Sequence, residues 1–171
     1  MNLYLDIAGE NKSISAENLL RQALKADYGI DMPKIIRDEF GKPRFCDDIG
    51  IYFSISHSGE YVLCAVDESP VGADIQIIRP ETEKLIRRIC SEIELEKADF
   101  FTLWCLKESF IKLIGRRDRP YKEIEFLQDG EIYRGPCGSV GKTVSGPEGY
   151  RIAVCGFSDE NTLCINLHSE I

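Results

Sequence analysis

The sequence predicts an α+β fold made of two similar halves, residues 1–70 and 71–171. Each half carries a strand, then a helix, then further strands, and the polar segment DESP, which ends at Pro70, separates them. The chain of 171 residues is long enough for one compact domain or for two small halves. The repeat is one of topology, because we find no convincing residue-level repeat between the halves.

The first half begins with a strand at residues 2–8 (NLYLDIA) and a helix at residues 15–29. Ser15 is a candidate N-cap, and Gly29 ends the helix. The apolar face of this helix consists of Leu19, Leu20, Ala23 and Leu24. Residues 41–45 (GKPRF) are predicted to form a turn.

Two strands complete the first half, at residues 51–56 and 61–66, with HSGE as the turn between them. The second half starts with a strand at residues 71–78 and a helix that Pro80 opens. It closes with a hairpin around Asp129-Gly130, a loop at residues 136–149, and strands at residues 150–157 and 162–168.

A helix from about Lys97 to Ile114 contains a residue that interrupts its apolar face. The apolar arc consists of Leu103, Leu106, Phe110, Leu113 and Ile114. Lys107 lies inside this arc, and a local rule broken in this way often marks a functional site. The helix alone favours a simpler interpretation, in which Lys107 buries its stem and extends its ammonium to water.

The charge balance argues against a nucleic acid partner. The formal net charge is −8, from 29 acidic and 21 basic residues. Basic residues nevertheless cluster after the long helix, at Lys112, Arg116, Arg117 and Arg119. Such a patch suits a small anionic ligand or an acidic partner, and it equally suits a solvated helix end, where cations favour the helix dipole.

Cysteine usage favours a cytoplasmic protein. Seven cysteines, without a CxxC pair, argue against a disulfide framework and a zinc knuckle. Cys64, Cys155 and Cys164 lie in apolar runs and are interpreted as core residues. His57 and His168 are too few for a His-rich metal site, whereas a Cys–His nucleophile pair stays open. No secretory signal or membrane span is predicted.

The segment GSVGKTVSG partly matches the phosphate-loop pattern GxxxxGK[ST]. That pattern requires glycine at position 136, where this chain has Pro136. The segment also precedes a strand rather than a helix. We therefore reject a phosphate loop.

Two carboxylates on separate elements are the strongest chemical candidates. Asp74 lies late in the strand at residues 71–78, and Glu108 lies on the long helix between Lys107 and Lys112. Mg²⁺ prefers one or two protein carboxylates together with waters and phosphate oxygens. Lysines beside them could neutralise the charge that develops in phosphoryl transfer. Taken singly, Asp74 could cap a turn, and Glu108–Lys112 could be a surface pair.

The stretches VGADI and WCLKESFIK resemble the signature of the 4′-phosphopantetheinyl transferases, in which G-x-D precedes W-x-x-K-E-[SA]-x-x-K. The matching residues are Gly72, Asp74, Trp104, Lys107, Glu108, Ser109 and Lys112. Upstream, GKPRF and FSISHSGEYVLCAV resemble the coenzyme A-binding segments of that family. The larger, Surfactin-type members have two similar α+β halves related by pseudo-twofold symmetry, with the active site between them, which agrees with a split at Pro70.

The resemblance implies an enzyme that moves 4′-phosphopantetheine from coenzyme A to a serine of an acyl or peptidyl carrier protein and releases adenosine 3′,5′-bisphosphate. It implies that Asp74, Gln76 and Glu108 hold Mg²⁺, or Mn²⁺, and that Glu108 is the candidate base for the carrier serine, either directly or through a water. Lys112 would stabilise the pyrophosphate or protonate the leaving group. The other implied coenzyme A contacts are Lys42 and Pro43 at the adenosine end, Ser56 and His57 at the phosphates, and Lys107, which would face the cleft.

Two features depart from the family pattern. Gln76 stands where many relatives have a glutamate, which predicts weaker metal affinity and a changed preference for Mn²⁺. The interval between Asp74 and Glu108 is shorter than in the larger relatives. The hypothesis for the carrier is therefore that residues 87–100 and the basic residues after the long helix dock an acidic carrier.

Three classes of function remain at this point. An active, monomeric transferase is favoured, while a coenzyme A-binding module without transfer activity and a globular domain without a ligand are the alternatives. Carriers of fatty-acid, polyketide and nonribosomal peptide synthesis are all possible substrates.

Overall fold

The computed structural model describes residues 1–116, 118–157 and 165–169, and these form a mixed α+β fold. The predicted α+β class is therefore confirmed. Arg117 of the basic cluster, Cys164 and the start of the last predicted strand lie outside the described residues.

The described residues contain eleven strands. In chain order they are β1 (Asn2–Ile7), β2 (Ile35–Arg37), β3 (Pro43–Phe45), β4 (Tyr52–Ser58), β5 (Tyr61–Asp67), β6 (Val71–Ile77), β7 (Leu127–Asp129), β8 (Ile132–Arg134), β9 (Val140–Val144), β10 (Tyr150–Gly156) and β11 (Asn166–Ser169).

Four α-helices accompany these strands in the described part of the chain. They are α1 (Lys12–Tyr28), α2 (Glu83–Ile89), α3 (Glu92–Leu95) and α4 (Phe100–Ile114). A short 3₁₀ helix at Tyr121–Glu123 follows α4, and a second one lies at Pro136–Gly138.

Two larger sheets divide most of the strands between them. The first has the order β11-β1-β5-β4, and the second has the order β6-β10-β9-β8-β7. The strands therefore change sheet at the predicted split near Pro70. The exception is β11, which returns from the second half and pairs in parallel with β1.

Helix α1 begins earlier than the sequence suggested. Asn11, not Ser15, is the N-cap, because the Asn11 side chain accepts hydrogen bonds from the backbone N–H groups of Ser13 and Ile14. Ser15 lies one turn further along, where its hydroxyl accepts a hydrogen bond from Gly9 N. The helix ends as predicted at Gly29, which adopts φ 68° and donates its N–H to Lys25 O.

The predicted turn at residues 41–45 is partly a strand. Its second part, Pro43–Phe45, pairs with Ile35–Arg37. The turn lies just before it, because the Asp38 carboxylate accepts hydrogen bonds from Phe40 N and Lys42 N.

The predicted loop at residues 136–149 contains strand β9, which pairs with β10 and β8. A Cβ at Gly141 would lie 2.5 Å from a methyl group of Leu106, so glycine allows β9 to approach α4. The turn residues in this segment concealed the strand, whereas the predicted hairpin between β7 and β8 is confirmed.

Helix α4 starts at Phe100 rather than near Lys97. Its N-cap is Asp99, whose carboxylate accepts a hydrogen bond from Thr102 N. The preceding residues form the separate turn α3, which Ser91 and Glu94 close as a capping box. The two caps explain why a continuous apolar pattern is divided into two helices.

A ladder of serine hydroxyls joins the two sheets. Strands β4 and β6 are edge strands of different sheets that lie against each other. Alternate serines of β4 accept hydrogen bonds from alternate backbone N–H groups of β6: Ser54 from Ala73 at 3.0 Å, Ser56 from Ile75 at 3.4 Å, and Ser58 from Ile77 at 2.9 Å. The hydroxyls thus satisfy N–H groups that an edge strand would otherwise leave unpaired.

Candidate active site

A cleft of about 920 Å³ lies between α1, the β2–β3 hairpin, β4, β6 and α4. Eight of the nine site residues predicted from the sequence line it: Lys42, Pro43, Ser56, His57, Asp74, Gln76, Glu108 and Lys112. The described residues that line the cleft do not include the ninth, Lys107.

Asp74 is a buried carboxylate at the middle of β6, where the sequence had suggested the end of the strand. Its Oδ1 atom accepts hydrogen bonds from Ser56 Oγ and Lys112 Nζ, both at 2.6 Å. Its Oδ2 atom accepts one from Gln76 Nε2 at 2.9 Å. These donors satisfy a carboxylate that would otherwise be costly to bury.

Gly72 explains how Asp74 comes close to α4. A Cβ at position 72 would lie 1.9 Å from Ser109 O and 2.6 Å from Leu113 N. Only glycine therefore lets β6 pack this closely on the helix backbone. The G-x-D spacing then places Asp74 opposite Lys112.

Glu108 reaches the cleft from α4 and is half-buried. Its Oε1 atom accepts a hydrogen bond from the hydroxyl of Tyr121, in the 3₁₀ helix after α4. Tyr121 was not a candidate from the sequence, because no spacing rule relates it to Glu108.

Lys112 forms an ion pair with Asp74 at the cleft. Its side chain is 22% exposed and that of Asp74 is 3% exposed. The pair places a cation directly against the buried carboxylate, at the edge of a cleft that a ligand can enter.

The prediction that Lys107 faces the cleft is wrong. The Lys107 side chain is fully buried, and its Nζ atom donates to Glu94 Oε2 at 2.7 Å, Ile89 O at 2.8 Å and Tyr121 O at 3.2 Å. The alternative, in which its ammonium reaches water, is also wrong. Lys112 lies five positions after Lys107, which turns the two side chains ~140° apart around the helix.

Glu94 is the partner that the sequence did not reveal. It is fully buried, and besides Lys107 it accepts hydrogen bonds from Ser91 N on Oε2 and from Phe126 N on Oε1. The capping-box pattern Ser91–Glu94 was a visible signal for a helix start, but nothing indicated that this glutamate also neutralises Lys107.

Lys42 connects the β2–β3 hairpin to α4. Its Nζ atom donates to Leu113 O at 2.7 Å, one of the last carbonyls of the helix. Burial lowers the pKa of Lys42, and the nearby carboxylate of Asp38 partly offsets this effect. Pro43 and His57 line the same cleft, and the His57 side chain is exposed.

Further basic residues line the cleft beyond those that the sequence indicated: Arg21, Lys34 and Arg37. Together with Lys42 and Lys112 they concentrate positive charge in a protein of net charge −8. Such a cleft suits an anionic ligand. They were missed because they lie on α1, just before β2 and on β2, in stretches that carry no recognisable motif.

The predicted basic patch after α4 is partly neutralised. Arg116 donates two hydrogen bonds to the carboxylate of Asp118, and its guanidinium lies 4.7 Å from the ring centroid of Phe40. Arg116 therefore contributes less free positive charge than the sequence alone suggests.

The donor set fits a hard divalent cation. One wall of the cleft offers oxygen atoms from Asp74, Glu108 and the amide of Gln76. The Lys112 ammonium, which contacts Asp74, shows that this wall accommodates a positive charge. Within residues 1–116, 118–157 and 165–169, no group of three or more His, Cys, Asp or Glu side chains could hold a metal. Two carboxylates suit a metal that takes its remaining ligands from substrate phosphate and water.

Cys64 and Cys155 are fully buried, as predicted for core residues. Burial raises the pKa of Cys155 to about 12, although a hydrogen bond from Ser109 opposes this shift. This thiol therefore stays protonated at neutral pH and is a packing group rather than a nucleophile.

No helix in the described part of the chain is both long and apolar enough to span a membrane.

The family model of the 4′-phosphopantetheinyl transferase superfamily matches residues 70–155.

Curated proteins of the same kind match more of the chain. The 4′-phosphopantetheinyl transferase Sfp of Bacillus subtilis (strain 168) is 32% identical over 166 residues, which cover 85% of this chain and 73% of Sfp. The transferase psf-1 of Bacillus pumilus is also 32% identical over 166 residues, which cover 84% of this chain and 70% of psf-1. The transferase AcpT of Escherichia coli (strain K12) is 34% identical over 97 residues, which cover 49% of this chain and 50% of AcpT. The chain belongs to the 4′-phosphopantetheinyl transferase superfamily.

Proposed function

We propose that this protein transfers 4′-phosphopantetheine from coenzyme A to a serine hydroxyl of an acyl or peptidyl carrier protein, in a reaction that depends on Mg²⁺. One observation carries the proposal: Asp74, Glu108 and Lys112 meet on one wall of a cleft rich in basic residues. The family relationship supports the same reaction.

The reaction exchanges one bond to phosphorus for another. The serine oxygen bonds to the phosphorus that carries pantetheine, the bond from this phosphorus to the bridging oxygen breaks, and adenosine 3′,5′-bisphosphate leaves. Glu108 accepts the serine proton, because its carboxylate lines the cleft. Lys112 neutralises the negative charge that develops on the leaving pyrophosphate oxygens.

Asp74 and Glu108 would hold the metal, with Gln76 as a neutral third group. When bound, Mg²⁺ neutralises phosphate charge. Within the chain itself, Ser56 and Gln76 orient the Asp74 carboxylate through their hydrogen bonds to its two oxygens. The single proton of Ser56 is committed to Asp74, so we assign Ser56 to orienting Asp74 ahead of a direct phosphate contact.

The remaining cleft residues would bind coenzyme A. We assign Lys42 and Pro43 to the adenosine end and His57 to the phosphates, since all three line the cleft. Lys42 is anchored to the end of α4, so its contact with the nucleotide would couple the ligand to the helix that carries Glu108.

We propose that the carrier docks beside α2 and α3. Arg87 and Arg88 are exposed at the end of α2, and Ile93 on α3 is 60% exposed, a combination that suits an acidic partner with an apolar contact. Arg87→Glu should raise the KM for the carrier, whereas Lys12→Glu, the same charge change on α1, should not. Arg116→Glu should act more weakly, because Asp118 already pairs with Arg116. An unchanged KM in Arg87→Glu would remove this residue from the interface.

We also infer a pseudo-twofold arrangement, in which each half contributes one sheet and one long helix to the cleft. Helix α1 packs on β4 and β5, and α4 packs on β6 and β10, which supports this relation. Because both walls come from one chain, we propose a monomer, which light scattering on a sizing column would test. We expect the protein to work in the cytoplasm, where its buried thiols stay reduced.

Intact-mass spectrometry of several apo carrier proteins, incubated with this protein, coenzyme A and Mg²⁺, tests the function. The expected result is a mass gain of one phosphopantetheine, lost in Glu108→Gln and retained in Glu148→Gln. Glu148 is exposed and lies outside the cleft lining, so it is a matched control. Stabilisation of the protein by coenzyme A without any mass gain would instead favour a coenzyme A-binding module.

A further inference from the structure

Tyr121 occupies a supporting position behind Glu108. It begins the 3₁₀ helix after Pro120, is half-buried, and packs against the apolar clusters around α4. It is absent from the described residues that line the cleft. Its hydroxyl nevertheless donates a hydrogen bond to Oε1 of Glu108, which does line the cleft.

The backbone of Tyr121 is held by Lys107, the residue before Glu108. Lys107 Nζ donates to the carbonyl of Tyr121 at 3.2 Å, and Glu94 and Ile89 hold the same ammonium in place. Two adjacent residues of α4 thus contact opposite ends of Tyr121: Lys107 its carbonyl, and Glu108 its hydroxyl. A shift of the Tyr121 backbone would therefore break a hydrogen bond to the buried ammonium of Lys107.

The terminal torsion of a glutamate is broad, so the backbone does not fix the plane of the carboxylate. A hydrogen bond to one of the two oxygens fixes this plane. Because Tyr121 donates to Oε1, Oε2 is the oxygen left for a proton or a ligand in the cleft. A hydrogen bond to an ionised carboxylate is strong enough to maintain this orientation.

We propose that Tyr121 is a positioning residue for Glu108, which fixes the orientation of its carboxylate and presents Oε2 to the reacting serine. This inference rests on the proposed transferase function. Tyr121 does not itself touch the substrate. Misorientation of a catalytic group lowers the rate of the chemical step rather than substrate binding.

The variant Tyr121→Phe tests this role, because it keeps the ring and its packing and removes only the hydroxyl. We expect kcat for carrier loading to fall about tenfold, with KM for coenzyme A and for the carrier unchanged within about twofold. Tyr133→Phe is the matched control, since Tyr133 is buried in the same α4 cluster and lines no part of the cleft. It should change neither parameter.

A second measurement does not depend on activity. In ¹³C NMR spectra of the side-chain carboxyl groups, the Glu108 signal, assigned by its loss in Glu108→Gln, should move in Tyr121→Phe and stay in Tyr133→Phe. An unmoved Glu108 signal, or a wild-type kcat in Tyr121→Phe, overturns the positioning role. If the wild-type protein loads no carrier while the Glu108 signal still moves, the hydrogen bond stands and the proposed function fails.

Discussion

Helix α4 carries two lysines that each form an ion pair, and the two pairs differ in what surrounds them. Lys112 and Asp74 are 2.6 Å apart at the cleft, with side chains 22% and 3% exposed. Lys107 and Glu94 are 2.7 Å apart in the interior, and both side chains are fully buried. The same kind of pair is thus accessible to a ligand in one place and sealed in the other.

The difference lies in how many donors each lysine has committed. An ammonium group has three N–H donors, and Lys107 directs them to Glu94, Ile89 O and Tyr121 O. Lys112 donates to Asp74 and faces the cleft, so it can turn toward an anionic ligand. We infer that the sealed pair, Lys107 and Glu94, keeps the 3₁₀ helix and α3 against α4. The open pair, Lys112 and Asp74, takes part in the chemistry.

Lys107→Met should have the largest effect on the sealed pair. It leaves the Glu94 carboxylate buried without its cation, and breaking such a pair from one side costs about 3–5 kcal/mol. Urea denaturation should show this loss in the free energy of unfolding. Lys84→Met, at an exposed position of α2, is the control and should change it by less than about 0.5 kcal/mol.

A double-mutant cycle sharpens the result. Lys107→Met combined with Glu94→Gln should be less destabilising than the sum of the two single variants, because the second change removes the charge that the first one stranded. Strict additivity would contradict the interpretation of Lys107 and Glu94 as one coupled pair.

Lys112→Met should reverse the pattern, with a large loss of rate and a small loss of stability. We expect carrier loading to slow by about a hundredfold, because a cation beside the transferring phosphate is lost. Asp74 keeps Ser56 and Gln76 as donors, so the free energy of unfolding should fall by only about 1 kcal/mol. Loading rates by mass spectrometry and urea denaturation of the same sample check both parts. A stability loss as large as that of Lys107→Met would remove the distinction between the pairs.

The two lysines also show how much of the site could be predicted from the sequence. The spacing from Glu108 to Lys112 is one helical turn, so both residues reach the same side of α4, and this local geometry is visible in the sequence. Asp74 was also found, because it lies late in a predicted strand and follows Gly72 in the G-x-D stretch; the structure adds that Gly72 allows the close approach to α4. The order of the strands and helices follows from similar local patterns.

Contacts made between distant segments were not predictable. Glu94 meets Lys107 because the separate turn α3 packs on α4, and Tyr121 meets Glu108 because the chain folds back after α4. A lysine within an apolar arc is compatible with a cleft, with water or with a buried partner. Only the position of Glu94 decides among these possibilities.

Gln76→Glu should change metal binding beside the open pair, Lys112 and Asp74, and should leave the sealed pair, Lys107 and Glu94, unaffected. A third carboxylate beside Asp74 adds negative charge, so we expect the affinity for Mg²⁺ to rise about tenfold. Calorimetric titration with Mg²⁺ and with Mn²⁺ measures this directly, beside the metal dependence of loading. Gln128→Glu, at an exposed position of β7, is the control. An unchanged affinity would mean that position 76 does not contribute to metal binding.

The serine ladder allows the smallest and most specific test of the open pair. Ser54 and Ser56 both accept hydrogen bonds from β6, but only Ser56 also donates to Asp74. Ser54→Ala and Ser56→Ala should therefore each lower the free energy of unfolding by about 1 kcal/mol, since each leaves a buried N–H without its partner. Only Ser56→Ala should also slow carrier loading, by about threefold, because Asp74 then loses one of the donors that hold it against Lys112. Equal rates in the two variants would mean that the ladder joins the sheets without orienting Asp74.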